Sequence, residues 1–263
     1  MAELTDKRLF LLDMDGTLYL DNDLFPGTIP FLRRIREKGG RYLFLTNNSS
    51  RGADSYVEKL RRLGIGSVPE DFLTSVDALV LFLRKGDYQG KPLYVAGTES
   101  FRRQLRQAGF SVTSDREEAE VLICGFDTEL TFQKLEDACI LLNRGAEFLA
   151  TNPDWVCPTW YGSVPDCGSV CEMLFQATGR RPRVIGKPQP EMALLAMESA
   201  GFSPEETVLV GDRLYTDIAC AVNAGIDSVL VLSGESTRED LARSETKPRW
   251  VLRDVAELTE RMG

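Results

Sequence analysis

Two aspartates, Asp13 and Asp15, flank a single residue in Asp13-Met14-Asp15-Gly16-Thr17-Leu18, directly after the uninterrupted apolar run Leu9-Phe10-Leu11-Leu12. A carboxylate kept ionised by nearby positive charge can attack phosphorus as a nucleophile. Three further polar clusters lie after or beside apolar runs. They are Thr46-Asn47-Asn48-Ser49-Ser50, Gly186-Lys187-Pro188 and Gly211-Asp212-Arg213-Leu214-Tyr215-Thr216-Asp217. Asp13, Asp15 and Asp212 are hard oxygen donors of the kind Mg²⁺ takes in octahedral coordination. Lys187 is a compact charge for phosphate oxygens, and Thr46 and Asn47 add hydroxyl and amide donors. Taken singly, an aspartate after a strand is a turn former or helix cap as readily as a catalyst. Turn chemistry alone does not require all four clusters at strand ends.

The elements that must position them alternate. Strand-like runs at Tyr42-Leu43-Phe44-Leu45, Val184-Ile185, Val208-Leu209-Val210 and Val229-Leu230-Val231-Leu232 are interleaved with helical spacing over 28–38, 53–63, 190–200 and 216–224. This pattern predicts an α/β fold, a doubly wound parallel sheet with helices on both faces. Ligands of such sheets sit at the carboxyl ends of the strands, where these clusters fall. The middle of the chain repeats the alternation less regularly. Strand runs near Leu93-Tyr94-Val95, Val121-Leu122-Ile123 and 147–150 are joined by helical stretches over 100–108, 132–142 and 169–178. Thr46 and Lys187 are 141 residues apart, far more than one strand–helix unit needs, so an inserted domain is expected. Its boundaries are placed at 81–181, with 1–80 plus 182–263 as the catalytic core. The acidic pairs Glu117-Glu118 and Glu205-Glu206 read as exposed helix starts.

Composition narrows the chemistry further. There is no histidine in the 263 residues, which removes Ser-His-Asp and Cys-His catalysis and the commonest zinc ligand. The six cysteines include no C-x-x-C pair, so reduced thiols, buried or semi-buried, are expected. A net charge of −9 disfavours nucleic acid as a partner and requires a locally positive site for any anionic substrate. No apolar stretch is long enough for a membrane span, and the N-terminus lacks a signal peptide's apolar segment. The expected setting is therefore cytoplasmic, with no membrane partner. A homodimer through the inserted domain is compatible with the layout.

The four clusters, in this order, resemble the signature motifs of the haloacid dehalogenase (HAD) superfamily. Asp13-Met14-Asp15-Gly16-Thr17 is similar to its D-x-D-G-T motif. Thr46-Asn47-Asn48-Ser49, Thr151-Asn152-Pro153-Asp154, Gly186-Lys187-Pro188 and Gly211-Asp212-Arg213-Leu214-Tyr215-Thr216-Asp217 resemble the NagD-like, para-nitrophenyl phosphatase-like branch over the whole chain. The resemblance implies a Rossmann-like core with a mixed α/β cap over the site. It implies Mg²⁺-dependent hydrolysis of small phosphate monoesters, such as sugar phosphates, nucleoside monophosphates or aryl phosphates. Asp13 would form an aspartyl-phosphate and Asp15 would act as acid, then base. Mg²⁺ would be held by the side chains of Asp13 and Asp212 and the main-chain carbonyl of Asp15. Thr46, the Asn47 backbone and Lys187 would hold the phosphoryl group, and Asp217 would orient Lys187 or a metal-bound water. The cap segment 158–168 would hang over the site, with Tyr161, Asp166 and Cys167 as candidate specificity residues.

Rival readings are a dehalogenase, a phosphonatase, a phosphotransferase or phosphomutase, and a non-catalytic phosphate-binding protein. Asp15 counts against the first and the last, because neither carbon-centred dehalogenation nor sensing needs a second acid there. The cap offers no lysine placed for Schiff-base chemistry. The phosphotransferase shares the first half-reaction and stays open at this stage.

Overall fold

The structure, a computed structural model, describes residues 3–263. Its larger sheet has six parallel strands in the order Trp250–Leu252, Asp227–Val231, Thr207–Gly211, Leu9–Leu12, Arg41–Thr46, Phe72–Thr74. The chain builds outward from Leu9–Leu12 in one direction and then returns to build from its other edge. The order therefore reverses between Leu9–Leu12 and Thr207–Gly211, which is the topological switch point of a doubly wound sheet. Asp13 follows the first of these strands and Asp212 the second.

Between Phe72–Thr74 and Thr207–Gly211 the chain forms a second parallel sheet. Its order is Arg183–Val184, Glu147–Ala150, Val121–Cys124, Leu93–Ala96, Val112–Thr113. Neither edge of this insert falls where the sequence placed a boundary. Residue 80 lies inside the helix Ser75–Lys85, and Arg183–Val184 still pair with the smaller sheet. The helix runs through the boundary because it is a packing element rather than a linker. Its Val76, Leu79 and Leu83 belong to one hydrophobic cluster with Leu9, Leu11, Leu43 and Leu45 of the larger sheet and Leu93, Val95, Val121 and Ile123 of the smaller. A buried joint of this kind carries no linker composition for the sequence to reveal.

Strand alternation divides the large sheet's side chains as the pleat requires. Leu9 and Leu11 enter that shared cluster. Phe10 and Leu12 face the opposite way, onto Phe31, Leu32 and Ile35 of the helix Thr28–Glu37 and onto Val255 and Leu258 of the C-terminal helix. The segment 156–165 is an antiparallel hairpin, Val156–Thr159 with Gly162–Pro165, carrying Trp160 and Tyr161 at its tip. The acidic pairs differ from their sequence reading. Glu117 lies in a turn, ion-paired with Arg144, and Glu205 sits in the turn before Thr207–Gly211; neither starts a helix. Among the described residues, no helix is long and apolar enough to cross a membrane.

Leu79 is fully buried where the two sheets share their core. Leu79→Ala should cost about 2–5 kcal/mol, as for buried leucines generally. Because the cluster is continuous, guanidinium unfolding followed by circular dichroism and by tryptophan fluorescence should still give one coincident transition. Two separated transitions would show that the sheets melt independently.

Candidate active site

Asp13 is fixed by its backbone N–H, which donates to the Val210 carbonyl (2.9 Å) and carries the ladder one step beyond the strand end. Lys187 reaches the same point from the segment after the smaller sheet. Its Nζ donates to Asp13 Oδ1 (2.6 Å), to Asp217 Oδ1 (2.6 Å) and to the Leu45 carbonyl (3.1 Å). Asp212 completes the group: one oxygen from each of Asp13, Asp212 and Asp217 lies within 4.8 Å of the others. Two glycines make room for this crowding. A Cβ on Gly16, which has φ of +89°, would come within 2.6 Å of Asp212 Oδ2, and a Cβ on Gly211 would strike the Asp217 carboxylate.

The charges shift one another. Burial drives the Asp13 carboxyl upward, Lys187 opposes this, and Asp217 and Asp212 add to it; it stays well above the usual range. Burial, with help from Asp217, likewise pushes Asp212 up to about 7. Burial would strip the Lys187 proton, but Asp13 and Asp217 outweigh it and hold the ammonium well above the ordinary lysine range. Three clustered carboxylates face one ammonium, so the site carries surplus negative charge. An all-oxygen donor set with that surplus fits a hard divalent cation such as Mg²⁺.

Asp15 is set apart from this cluster. Its side chain points to Lys59 (Nζ to Oδ1, 3.5 Å) and accepts from the Tyr19 hydroxyl (3.5 Å). Burial raises its pKa and Lys59 holds it back, leaving it raised overall. Thr46 Oγ1 accepts from Asn48 N–H (3.1 Å), which leaves its own proton to donate. The Asn47 side chain does not face the site. Its Nδ2 donates to Asp154 Oδ2 (2.7 Å) and to the Lys187 carbonyl (3.0 Å), and its Oδ1 accepts from Lys187 N–H (2.9 Å).

Around these groups lie two connected spaces. A polar recess of about 40 Å³ is lined by Asp13, Thr46, Asn47, Lys187 and Arg213 among others. A vestibule of about 510 Å³ opens beside it, and Asp15, Asn48, Cys157 and Pro158 line both. Tyr161 lines the vestibule and Asp166 the recess, whereas Cys167 lies buried beside Cys171, their sulfurs 3.8 Å apart.

Sequence reasoning missed the residues that lock the insert to the core. Arg213 forms an ion pair with Asp154, donates to the Val156 carbonyl (3.1 Å) and pairs with Glu235 (2.8 Å). Asn152 Nδ2 donates to both Asp154 (2.8 Å) and Asp166 (3.0 Å). The loop after Arg41–Thr46 is stitched to the insert by hydroxyls as well. Ser49 Oγ accepts from Phe126 N–H (2.9 Å), and the Ser50 carbonyl accepts from Thr98 Oγ1 (2.9 Å). Lys59 was missed for a different reason: on a helix, four residues from the polar Ser55, it looks like any solvated lysine. Thr151-Asn152-Pro153-Asp154 and Arg213 stood out in the sequence as parts of motifs, but nothing local showed that they would pair with one another.

With this geometry in view, comparison with known proteins is informative. Residues 10–111 match the family described as haloacid dehalogenase-like hydrolase, and residues 184–258 match a second family described as HAD-hydrolase-like. An acid sugar phosphatase of Staphylococcus aureus is 32% identical over 250 residues, covering 95% of this chain and 96% of its own. The structure of a 4-nitrophenylphosphatase from Thermotoga maritima shares 41% identity with a TM-score of 0.90, covering 99% of both chains. A Mycobacterium tuberculosis glycerol phosphate phosphatase, solved with magnesium, shares 30% identity with a TM-score of 0.90, covering 98% of this chain and 78% of that one. NagD of E. coli shares 33% identity with a TM-score of 0.84, covering 95% of this chain and 98% of its own. The chain belongs to the haloacid dehalogenase-like hydrolases and, within them, to the NagD-like phosphatases, which hydrolyse phosphate monoesters.

The Asp154–Arg213 pair is buried, with side-chain exposures of 2% and 12%. Asp154→Ala strands a guanidinium and frees the Asn47 amide. It should cost roughly 3 kcal/mol, the low end for breaking a buried pair because Glu235 remains. Denaturant titration measures this, and a loss below roughly 1 kcal/mol would show that the pair does not hold the insert.

Proposed function

We propose that this protein is a Mg²⁺-dependent phosphatase of small phosphate monoesters that works through an aspartyl-phosphate on Asp13. One observation carries the reading. At the switch point of the sheet, Asp13 is the open member of a buried Asp–Lys–Asp–Asp cluster, with 15% side-chain exposure against 1% for Asp217, and Asp15 stands where the recess meets the vestibule.

The recess suits a phosphoryl group once a divalent cation offsets its surplus negative charge, and the vestibule suits the group it leaves. Lys187 occupies Asp13 Oδ1, so Oδ2 is the oxygen without a side-chain partner among the described residues and the one assigned to attack. As the Asp13 oxygen bonds to phosphorus, the ester P–O bond breaks and Asp15 delivers its proton to the departing oxygen. Its raised pKa suits that role. In the second half-reaction Asp15 takes a proton from water, whose oxygen displaces Asp13 from phosphorus. Lys187 and the Thr46 hydroxyl hold the equatorial oxygens, where charge spreads in phosphoryl transfer. Asp13, Asp212 and the main-chain carbonyl of Asp15 would hold Mg²⁺, with Asp217 keeping Lys187 in place. The ion would supply neutralisation of the phosphoryl charge and of the crowded carboxylates.

The smaller sheet and its hairpin act as a cap. A roofed site with a vestibule of about 510 Å³ admits metabolites and excludes folded phosphoproteins. The relatives named as sugar, glycerol and nitrophenyl phosphatases support this size class.

Phosphate release from 4-nitrophenyl phosphate should require Mg²⁺ and stop reversibly with chelator. Asp13→Asn should lose at least about 10⁴-fold in kcat while keeping its fold; a variant retaining a tenth of wild-type turnover would remove Asp13 from the nucleophile's role. Asp15→Asn cannot supply a proton, so single-turnover phosphorylation should fall far more with an alkyl phosphate than with 4-nitrophenyl phosphate, whose leaving group needs little protonation. Equal losses would take Asp15 out of the acid role.

A further inference from the structure

The vestibule contains two cations that the proposed hydrolysis leaves unused. Lys59 projects from the helix Ala53–Arg62 with a side chain only 14% exposed. Its ammonium lies 3.9 Å from the centre of the Tyr19 ring and 3.5 Å from Asp15 Oδ1. An ammonium has three N–H donors. One ring face and one long carboxylate contact leave donor capacity on a largely desolvated charge at the vestibule wall. Arg51 lines the same space and forms no ion pair among the described residues.

The acids on the wall do not cancel these two. Asp127 is held by Lys134 at 2.7 Å with 2% side-chain exposure. Asp15 is spent on the ester oxygen. That leaves Asp21, in the turn of the hairpin formed by Tyr19–Leu20 and Asp23–Leu24, with its Oδ1 accepting from Asn22. The lining also includes the apolar Phe126, Val164 and Val170. A leaving group entering this space meets two positive charges, one of them beside Asp15, and hydrocarbon on its walls.

We propose that Lys59 and Arg51 form an anion subsite for the leaving group, so that the enzyme selects phosphate monoesters carrying a second anion, a carboxylate or another phosphate, close to the ester oxygen. The proposal rests on the phosphatase reading for the pose of the substrate, but binding tests it separately. A single charge-assisted contact in a water-poor site is worth about tenfold or more in affinity.

Three substrates of matched skeleton test this. They are 2-phosphoglycolate, ethylene glycol bisphosphate and 2-hydroxyethyl phosphate, assayed as kcat/KM with Mg²⁺. Wild type should prefer at least one of the two esters bearing a second anion over the hydroxyl ester by about tenfold or more, and which one wins identifies the anion. In Lys59→Met and Arg51→Gln that ratio should fall by about tenfold or more towards unity, whatever the absolute rates. Calorimetry on the Mg²⁺-loaded wild type should show 3-phosphonopropionate or propane-1,3-diphosphonate, whichever carries the preferred anion, binding about tenfold tighter than 3-hydroxypropylphosphonate. None of these phosphonates can be hydrolysed, so this arm stands if turnover is absent, an outcome that would sink the phosphatase reading and leave the subsite. Binding of both anionic phosphonates no tighter than that of the hydroxyl one, or a specificity ratio unchanged in both variants, would overturn the subsite.

Discussion

A single buried ammonium organises this protein. Lys187 has 2% side-chain exposure and sits between Asp13 and Asp217, each at 2.6 Å. A lysine stripped of water is stable only if its charge is matched at close range. The match requires a strand end at Asp13, a second at Asp212 that delivers Asp217 four residues after Arg213, and a third at Leu45 that supplies the carbonyl. Those strands are adjacent in the sheet, and the order reverses among them. The parallel topology is thus what brings three distant carboxylates and one lysine to a common point, and the crowding leaves a net negative charge that only a cation relieves.

The same lysine ties the insert to the core. Its backbone N–H and C=O both bond the Asn47 amide, whose remaining Nδ2 proton goes to Asp154 of the insert. Asp154 in turn grips Arg213, one residue after Asp212. A displacement of the insert would therefore pull on Asn47, on the lysine loop and on the loop bearing Asp212 together. Below this polar lock, the helix Ser75–Lys85 joins the two sheets through one apolar cluster. The polar contacts set the orientation of the roof, while the apolar burial supplies most of the adhesion.

The division of the cavity follows from that orientation. The hairpin Val156–Thr159 with Gly162–Pro165 brings Cys157 and Pro158 over the threshold between recess and vestibule. On the proposed function, phosphoryl chemistry falls to the small polar side and recognition of the rest of the ester to the larger side. Relatives can then share the recess while differing in the substrates for which they are named.

Much of this was legible in the residues themselves. Apolar runs of two to four residues, each followed by acids, hydroxyls or lysine, mark parallel strands with polar carboxyl ends, because a strand buried on both faces leaves only its end free for polar groups. Asp13, Asp15, Thr46, Lys187, Asp212 and Asp217 were singled out that way, and the structure gathers Asp13, Lys187, Asp212 and Asp217 at one point with Asp15 and Thr46 on the adjoining recess; the 141-residue gap between Thr46 and Lys187 called for an insert. What the tertiary structure decided are relations that no local pattern encodes. Asn47 spends its side chain on the insert, Lys59 turns inward onto Asp15 and Tyr19, Arg213 meets Asp154, and the insert begins within a helix without any linker. Side-chain periodicity reports which face of an element is buried. It does not report which of two polar neighbours a long side chain will reach once elements far apart in the chain have been packed together, and that choice determines the shape and charge of the leaving-group space.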